Sequence, residues 1–154
     1  MARAFRPTLF RRLANRVVAP LVRLGLAPGV ALLTVRGRRS GRPFTTPVQP
    51  ITVGGRRYVV APYGVVGWVR NARAAGEVTL RRGRRRERLA AVEVDPDEAG
   101  PVLAAYVRRT RIVRPYFDAR PGDPPGAFAA EAARHPVFRL EPPSPASSEG
   151  GASR

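Results

Sequence analysis

Between Val30 and Leu140 the chain is cut by glycine and proline into apolar runs too short for most helices, and this punctuation constrains the fold more than any other feature. The runs VALLTVR, FTTPVQPITV and RRYVVAP follow one another, and the last two are joined by Gly54-Gly55, a pair that readily supplies the positive φ angles of a tight hairpin. In EVTLRR, Val78 and Leu80 alternate with polar neighbours, and after Gly83 the segment RRERLAAVEVD alternates again at Ala90, Val92 and Val94. A period of two marks half-buried antiparallel strands. PVFRLE is the last candidate strand.

Two stretches between these strands have helical character. GWVRNARAAG is alanine-rich and stops at Gly76, a residue suited to a C-cap. DPDEAGPVLAAYVRRTRIV opens with Asp95 as N-cap, Pro96 at the first helical position and Glu98 as the reciprocal partner of a capping box. Its apolar face is Val102, Leu103, Tyr106 and Val107. Ahead of the strands, Leu9, Leu13, Val17, Leu21 and Leu24 recur every three or four residues. That spacing predicts an amphipathic helix, suited to packing on the domain or to peripheral contact with an anionic membrane. Pro20, Arg23 and Pro28 interrupt the apolar stretch that a secretory signal needs, and no run approaches a membrane span. PPSPASSEGGASR at the other end has almost nothing to bury. The expected organisation is an N-terminal amphipathic helical segment over 1–29, a domain over 30–141 and a disordered tail over 142–154. Its fold class is mainly β (α+β): a small antiparallel barrel of about six strands, with the N-terminal helix and two further helices.

Charge narrows the function. All 28 basic residues are arginine and the net charge is +17. Met1–Gly76 holds 14 arginines and no acid, whereas Glu77–Arg154 holds 14 arginines and all 11 acids, so the halves carry +14 and +3. Such a field favours a polyanion beside the first half: a phosphorylated cofactor, nucleic acid or an anionic membrane. The absence of cysteine excludes disulfides and thiolate catalysis, and suits a cytoplasmic protein. With His135 the only histidine, no metal site of the usual zinc kind is expected, and no nucleophile elbow accompanies it for hydrolysis. The run RRGRRRER raises a basic nucleic-acid-binding module as a rival, but few aromatic residues interleave it, and a solvated hairpin is the simpler reading.

Two motifs carry candidate chemistry. In RGRRSG, Ser40 and the amides around Gly41 suit an anion, with Arg38 and Arg39 supplying charge and forked donors. Neither the glycine spacing nor the Lys-Ser/Thr pair of a P-loop is present. In APYGVVGWVRN, the backbone of Ala61, Pro62 and Gly64 allows close approach of a flat ring, Trp68 can wall it, and Arg70 and Asn71 offer polar contacts.

Together these pieces resemble the deazaflavin (coenzyme F420)-dependent nitroreductase family of the split β-barrel flavin-binding superfamily. The resemblance rests on GRRSG at Gly37–Gly41, Thr45-Thr46-Pro47, VVAPYG at Val59–Gly64, and Trp68 followed by Asn71. It implies a split β-barrel oxidoreductase that transfers a hydride between coenzyme F420 and a small organic acceptor such as a quinone, an enone or a nitro compound. It further implies that Arg38, Arg39, Ser40 and Gly41 hold the phosphate. The ring then lies along Thr45, Thr46 and Pro47 and along Ala61, Pro62, Tyr63 and Gly64, beside Trp68, Arg70 and Asn71. Tyr63 is a candidate proton donor, and Tyr116 and Phe117 are candidates to line the acceptor pocket. The chain departs from the family pattern at Phe44, Pro62 and Gly67. FMN is the alternative cofactor, as in other split-barrel proteins, and both monomers and homodimers occur among barrel relatives.

Overall fold

The computed structural model describes residues 29–143, so the expected N-terminal helix and most of the expected tail lie outside the described residues. Seven strands form one antiparallel sheet: β1 Ala31–Arg36, β2 Pro43–Val48, β3 Ile51–Val53, β4 Arg56–Val60, β5 Glu77–Arg82, β6 Arg85–Glu93 and β7 Val137–Glu141. They lie in the order β2-β1-β5-β6-β7-β4-β3, which leaves β2 and β3, adjacent in sequence, at opposite edges of the sheet. The sheet curls into a half-barrel. The expectation of about six strands falls short by one because FTTPVQPITV is two strands, β2 and β3, parted at Gln49-Pro50. Pro50 has no N–H to donate, so a continuous ladder breaks there.

Strand periodicity sends the two faces of the sheet to two cores. Val59 and Ala61 join Leu33, Val35, Val78, Leu80, Leu89, Ala91, Phe138 and Leu140 on one face. Tyr58 and Val60 join Ile51, Val137 and the helical layer on the other. In β6 the buried set is Leu89 and Ala91, whereas Val92 is exposed, which reverses the alternation expected for Ala90, Val92 and Val94. Register decides this: Val78 sits opposite Leu89 and Glu77 opposite Ala90. Position 92 therefore falls opposite Arg139 on the face that carries the helical layer, where it stays exposed, and only Val94 reaches the second core.

Among the described residues three α-helices accompany the sheet: α1 Gly67–Ala75, α2 Pro96–Arg109 and the short α3 Pro125–Ala129. The expected C-cap of α1 is present, with Gly76 left-handed at φ 68° and its N–H donated to the Ala72 carbonyl. Asp95 caps α2 by accepting from the Glu98 N–H at 2.9 Å. The reciprocal half of the capping box is missing, because the Glu98 carboxylate instead takes both hydrogen bonds from Arg139 Nη1 at 2.6 Å and one from the Tyr58 hydroxyl at 3.0 Å. A charged donor outbids a backbone amide here.

Val102, Leu103, Tyr106 and Val107 are buried as their spacing predicts. The helix stops at Arg109 rather than running on through Val113, and a 3₁₀ helix follows over Arg111–Tyr116. Arg114 closes the junction by donating to the carbonyls of Val107 and Arg108 at 3.1 and 3.0 Å, groups that a helix end leaves without partners. Gly100 lets α3 approach: a Cβ there would lie 2.6 Å from the Pro125 carbonyl oxygen. Among the described residues, no helix is long and apolar enough to cross a membrane.

Candidate functional site

The loop after β1 and the turn after β4 open at the same end of the half-barrel, and α1 runs between them. After Val60 the chain turns through Ala61–Gly64, with Gly64 at φ 95°. The turn is anchored by Ala61 N–H to the Pro136 carbonyl at 2.8 Å. Val69 and Ala72 of α1 then enter the first core, with Trp68 packed against it. The ring centroids of Trp68 and Phe138 are 5.7 Å apart. This orientation brings Asn71, only 6% exposed, to the loop.

The Asn71 side-chain carbonyl accepts two bonds from one residue: the Arg38 N–H at 3.2 Å and Arg38 Nη1 at 2.8 Å. Two motifs 33 positions apart in sequence thus meet through one buried amide. Inside the loop, the Gly37 N–H bonds the Arg42 carbonyl at 2.7 Å and the Gly41 N–H bonds the Gly37 carbonyl at 3.0 Å. The Arg42 N–H donates to Ser40 Oγ at 3.2 Å. The amides of Gly41 and Arg42 are therefore engaged within the turn. The outward donors are the Arg39 and Ser40 amides, the Ser40 hydroxyl proton and the exposed guanidiniums of Arg39 and Arg42. No acid sits in this loop. That donor set, amides plus guanidiniums with no carboxylate among them, fits a phosphate.

Phe44 explains the glycine at the loop's base. A Cβ on Gly37 would lie 2.6 Å from Phe44 Cε2, so the half-exposed ring lies over Gly37. In β2, Thr45 stands opposite Thr34 and their hydroxyls share a hydrogen bond at 2.8 Å. Thr46 stands opposite Leu33 and shares its face, while Thr45 and Pro47 point to the other. The side chains of Thr45-Thr46-Pro47 thus serve two surfaces. A ring laid on this strand meets either Thr46 or the Thr45 and Pro47 pair.

On the other wall, Tyr63 and Tyr116 meet edge to face, 5.0 Å between centroids. Burial, and then the neighbouring Tyr116, push the Tyr63 phenol above its ordinary range. The 3₁₀ helix thus joins Tyr116 to the turn that holds Tyr63. Phe117 goes elsewhere: it is buried and stacks on His135 at 3.9 Å. Arg70 is exposed on α1, and its side chain makes no hydrogen bond or ion pair among the described residues.

One polar anchor escaped the sequence reading. Glu131, 2% exposed, accepts from the Asp118 and Ala119 N–H groups, each at 2.8 Å. It fixes the segment just after Tyr116 and Phe117. Its Oε1 lies 3.8 Å from His135 Nε2. His135 is 5% exposed, its ring faces the backbone of Pro62 and Tyr116, and neither nitrogen reaches hydrogen-bonding geometry. Burial pulls its pKa below the ordinary imidazole value, against a smaller opposing pull from Glu131. The signal for Glu131 was an acid in the alanine run AFAAEAARHP, away from any cap.

Residues 8–120 match the sequence model of the F420H2-dependent quinone reductase family. Among curated proteins none matches. Several solved structures share the fold. One is described as an F420-H2 dependent reductase (FDR-A), 22% identical at a TM-score of 0.50, covering 74% of this chain and 95% of that one. Another is described as a domain-swapped dimer, 18% identical at 0.54, covering 86% and 96%. A third is the haem storage protein HutZ of Vibrio cholerae, 14% identical at 0.52, covering 84% and 92%. At these identities the likeness speaks for the split-barrel architecture alone.

Proposed function

The chain belongs to the F420H2-dependent quinone reductase family, oxidoreductases that use coenzyme F420, and on that premise we propose where coenzyme and acceptor lie. The phosphate rests on the loop of Arg38, Arg39, Ser40 and Gly41, held by the Arg39 and Ser40 amides, the Ser40 hydroxyl and the Arg39 guanidinium. The ring lies between Thr45-Thr46-Pro47 and the turn Ala61-Pro62-Tyr63-Gly64, with Trp68 as a wall and Arg70 toward the acidic tail. The observation that carries this reading is the Asn71 amide, which ties the loop to the helix that follows the ring-binding turn. Asn71 acts in this scheme by positioning Arg38, leaving Arg39 and Ser40 to face the ligand.

The bound coenzyme supplies the hydride. The chain's own residues orient the reactants, exclude water and manage one proton. Tyr63 is the proposed proton donor. The phenol is protonated at neutral pH, as any tyrosine with a pKa at or above 10 is, and a quinone that gains a hydride takes up one proton to become the quinol. Tyr116 lines the acceptor side, and quinones are the acceptor class we favour from the family.

The decisive assay follows oxidation of reduced coenzyme F420 with a panel of quinones and enones, comparing wild type with Trp68→Ala. Turnover with a quinone, lost or weakened in Trp68→Ala, supports the placement; FMN binding at micromolar concentration without any response to coenzyme F420 refutes it. For assembly and location, the amphipathic segment 1–29 is proposed to touch the membrane peripherally. Flotation with anionic vesicles tests that contact, and sedimentation separates monomer from homodimer.

A further inference from the structure

The end of the half-barrel away from the coenzyme loop holds a second concentration of positive charge. A cavity of about 340 Å³ opens there, lined by Gly29, Pro50, Thr52, Arg57, Leu80, Arg82, Arg85, Glu87 and Arg109. Gly29 precedes β1, and the coenzyme loop follows it, so the six residues of that strand separate the two sites by about 20 Å at roughly 3.3 Å per residue. Four guanidiniums line this basin against one carboxylate. Glu87 is shared, with Arg57 at 2.8 Å and Arg85 at 3.5 Å. The side chains of Arg82 and Arg109 have no hydrogen bond or ion pair among the described residues.

The strand register makes this arrangement costly without a ligand. Along the β5–β6 hairpin, Arg81 stands directly opposite Arg86 and Arg82 directly opposite Arg85. Like charges facing each other across a ladder destabilise it. Arg81 turns its Nε to the Gly83 carbonyl at 3.0 Å, but Arg82 and Arg85 both line the cavity. Arg109 arrives from the end of α2, remote in sequence, at the same space. Four arginines around a concavity, two of them sharing a single carboxylate and two without one, supply more positive charge than the protein neutralises there, and guanidiniums in excess are the chemistry that holds phosphate oxygens.

We propose that this basin is a second anion-binding site, separate from the coenzyme loop, in which Arg82, Arg85 and Arg109 hold a multiply charged phosphate group. The group belongs either to a small soluble phosphate compound or to the headgroup of an anionic lipid. Ile112, 68% exposed and one turn beyond Arg109, contributes only if the source is a lipid surface, where an apolar side chain gains by insertion. Glu87 sets the affinity by competing for Arg57 and Arg85.

The test uses the full chain. Inorganic pyrophosphate is titrated by calorimetry, and vesicles of phosphatidylglycerol in phosphatidylcholine by co-sedimentation, at fixed ionic strength. Wild type, Arg82→Ala/Arg109→Ala and Glu87→Gln are compared, with melting curves to show that each is folded. The double variant is expected to weaken binding at least tenfold while the Kd for coenzyme F420 stays within twofold. Glu87→Gln is expected to tighten it several-fold. Pyrophosphate binding identifies a soluble ligand. Vesicle binding alone, weakened by Ile112→Ser, identifies a lipid. The proposal is overturned if wild type binds neither probe, if the double variant binds as wild type does, if Glu87→Gln fails to tighten binding, or if coenzyme affinity falls in parallel with the double variant. The last result would make the basin part of the coenzyme site.

Discussion

Asn71→Ala is the substitution whose consequence follows most directly from the geometry. It removes one acceptor that takes a neutral bond from the Arg38 N–H at 3.2 Å and a charge-assisted bond from Arg38 Nη1 at 2.8 Å. A neutral hydrogen bond contributes about 1 kcal/mol net and a charged one about 1.5–3 kcal/mol. The loop therefore loses about 2.5–4 kcal/mol of docking onto α1. If part of that difference is carried into coenzyme binding, at about 1.4 kcal/mol per decade, the Kd for coenzyme F420 rises roughly ten- to thirtyfold. Fluorescence titration of the apo-protein reads this directly. Asn71→Asp keeps an oxygen toward Arg38 and gives the guanidinium a charged acceptor, so it is expected to weaken coenzyme binding less than Asn71→Ala does. A deazaflavin lacking phosphate and tail makes no use of the loop, so its affinity should be nearly the same in wild type and Asn71→Ala. Equal coenzyme affinity in wild type and Asn71→Ala would refute the reasoning, as would equal losses for the coenzyme and its phosphate-free analogue.

Three further outcomes are expected. Glu131→Gln keeps one acceptor oxygen and loses the other, so chemical denaturation should show a loss of about 2 kcal/mol, with Glu131→Ala losing more, about 3 kcal/mol or above. A pH dependence follows from His135, whose folded pKa is depressed below the ordinary imidazole value of about 6.5 mainly by burial. The unfolded chain then binds more protons than the folded one as pH falls from 6.5 toward the folded pKa, so stability drops over that window and the slope should flatten in His135→Phe. Gly37→Ala places a Cβ against Phe44, and displacing that ring should cost about 1–2 kcal/mol. Phe44→Ala should relieve most of it in a double-mutant cycle.

What the sequence revealed depended on how local the cause was. The Gly54-Gly55 hairpin, the Gly76 cap and the apolar face of α2 each follow from a few neighbouring residues, and each is present. The buried face of β6 was misread because in LAAVEV both registers offer apolar residues, and only pairing with β5 chooses Leu89 and Ala91. Glu98 satisfies the capping-box pattern, but Arg139, 41 positions away, is a stronger partner than the cap amide. The site shows the same limit. GRRSG and Trp68 with Asn71 were visible as motifs, whereas the bond from Arg38 to Asn71 is a tertiary fact. Glu131 was hard to read as an anchor because its two shortest bonds come from the Asp118 and Ala119 amides, which carry no sequence signature.

The most direct measurement is steady-state transfer from reduced coenzyme F420 to a quinone, in wild type and Arg39→Ala, with the coenzyme varied. Arg39 is exposed in the loop and has no protein partner among the described residues, so its removal subtracts ligand contacts with little effect on the fold. One lost charge-assisted contact of about 1.5–3 kcal/mol should raise KM for the coenzyme about ten- to a hundredfold. kcat should stay within about twofold, because that contact is made equally in ground and transition states. An unchanged KM in Arg39→Ala, or a wild-type protein that oxidises no reduced coenzyme F420 with any quinone, contradicts the account.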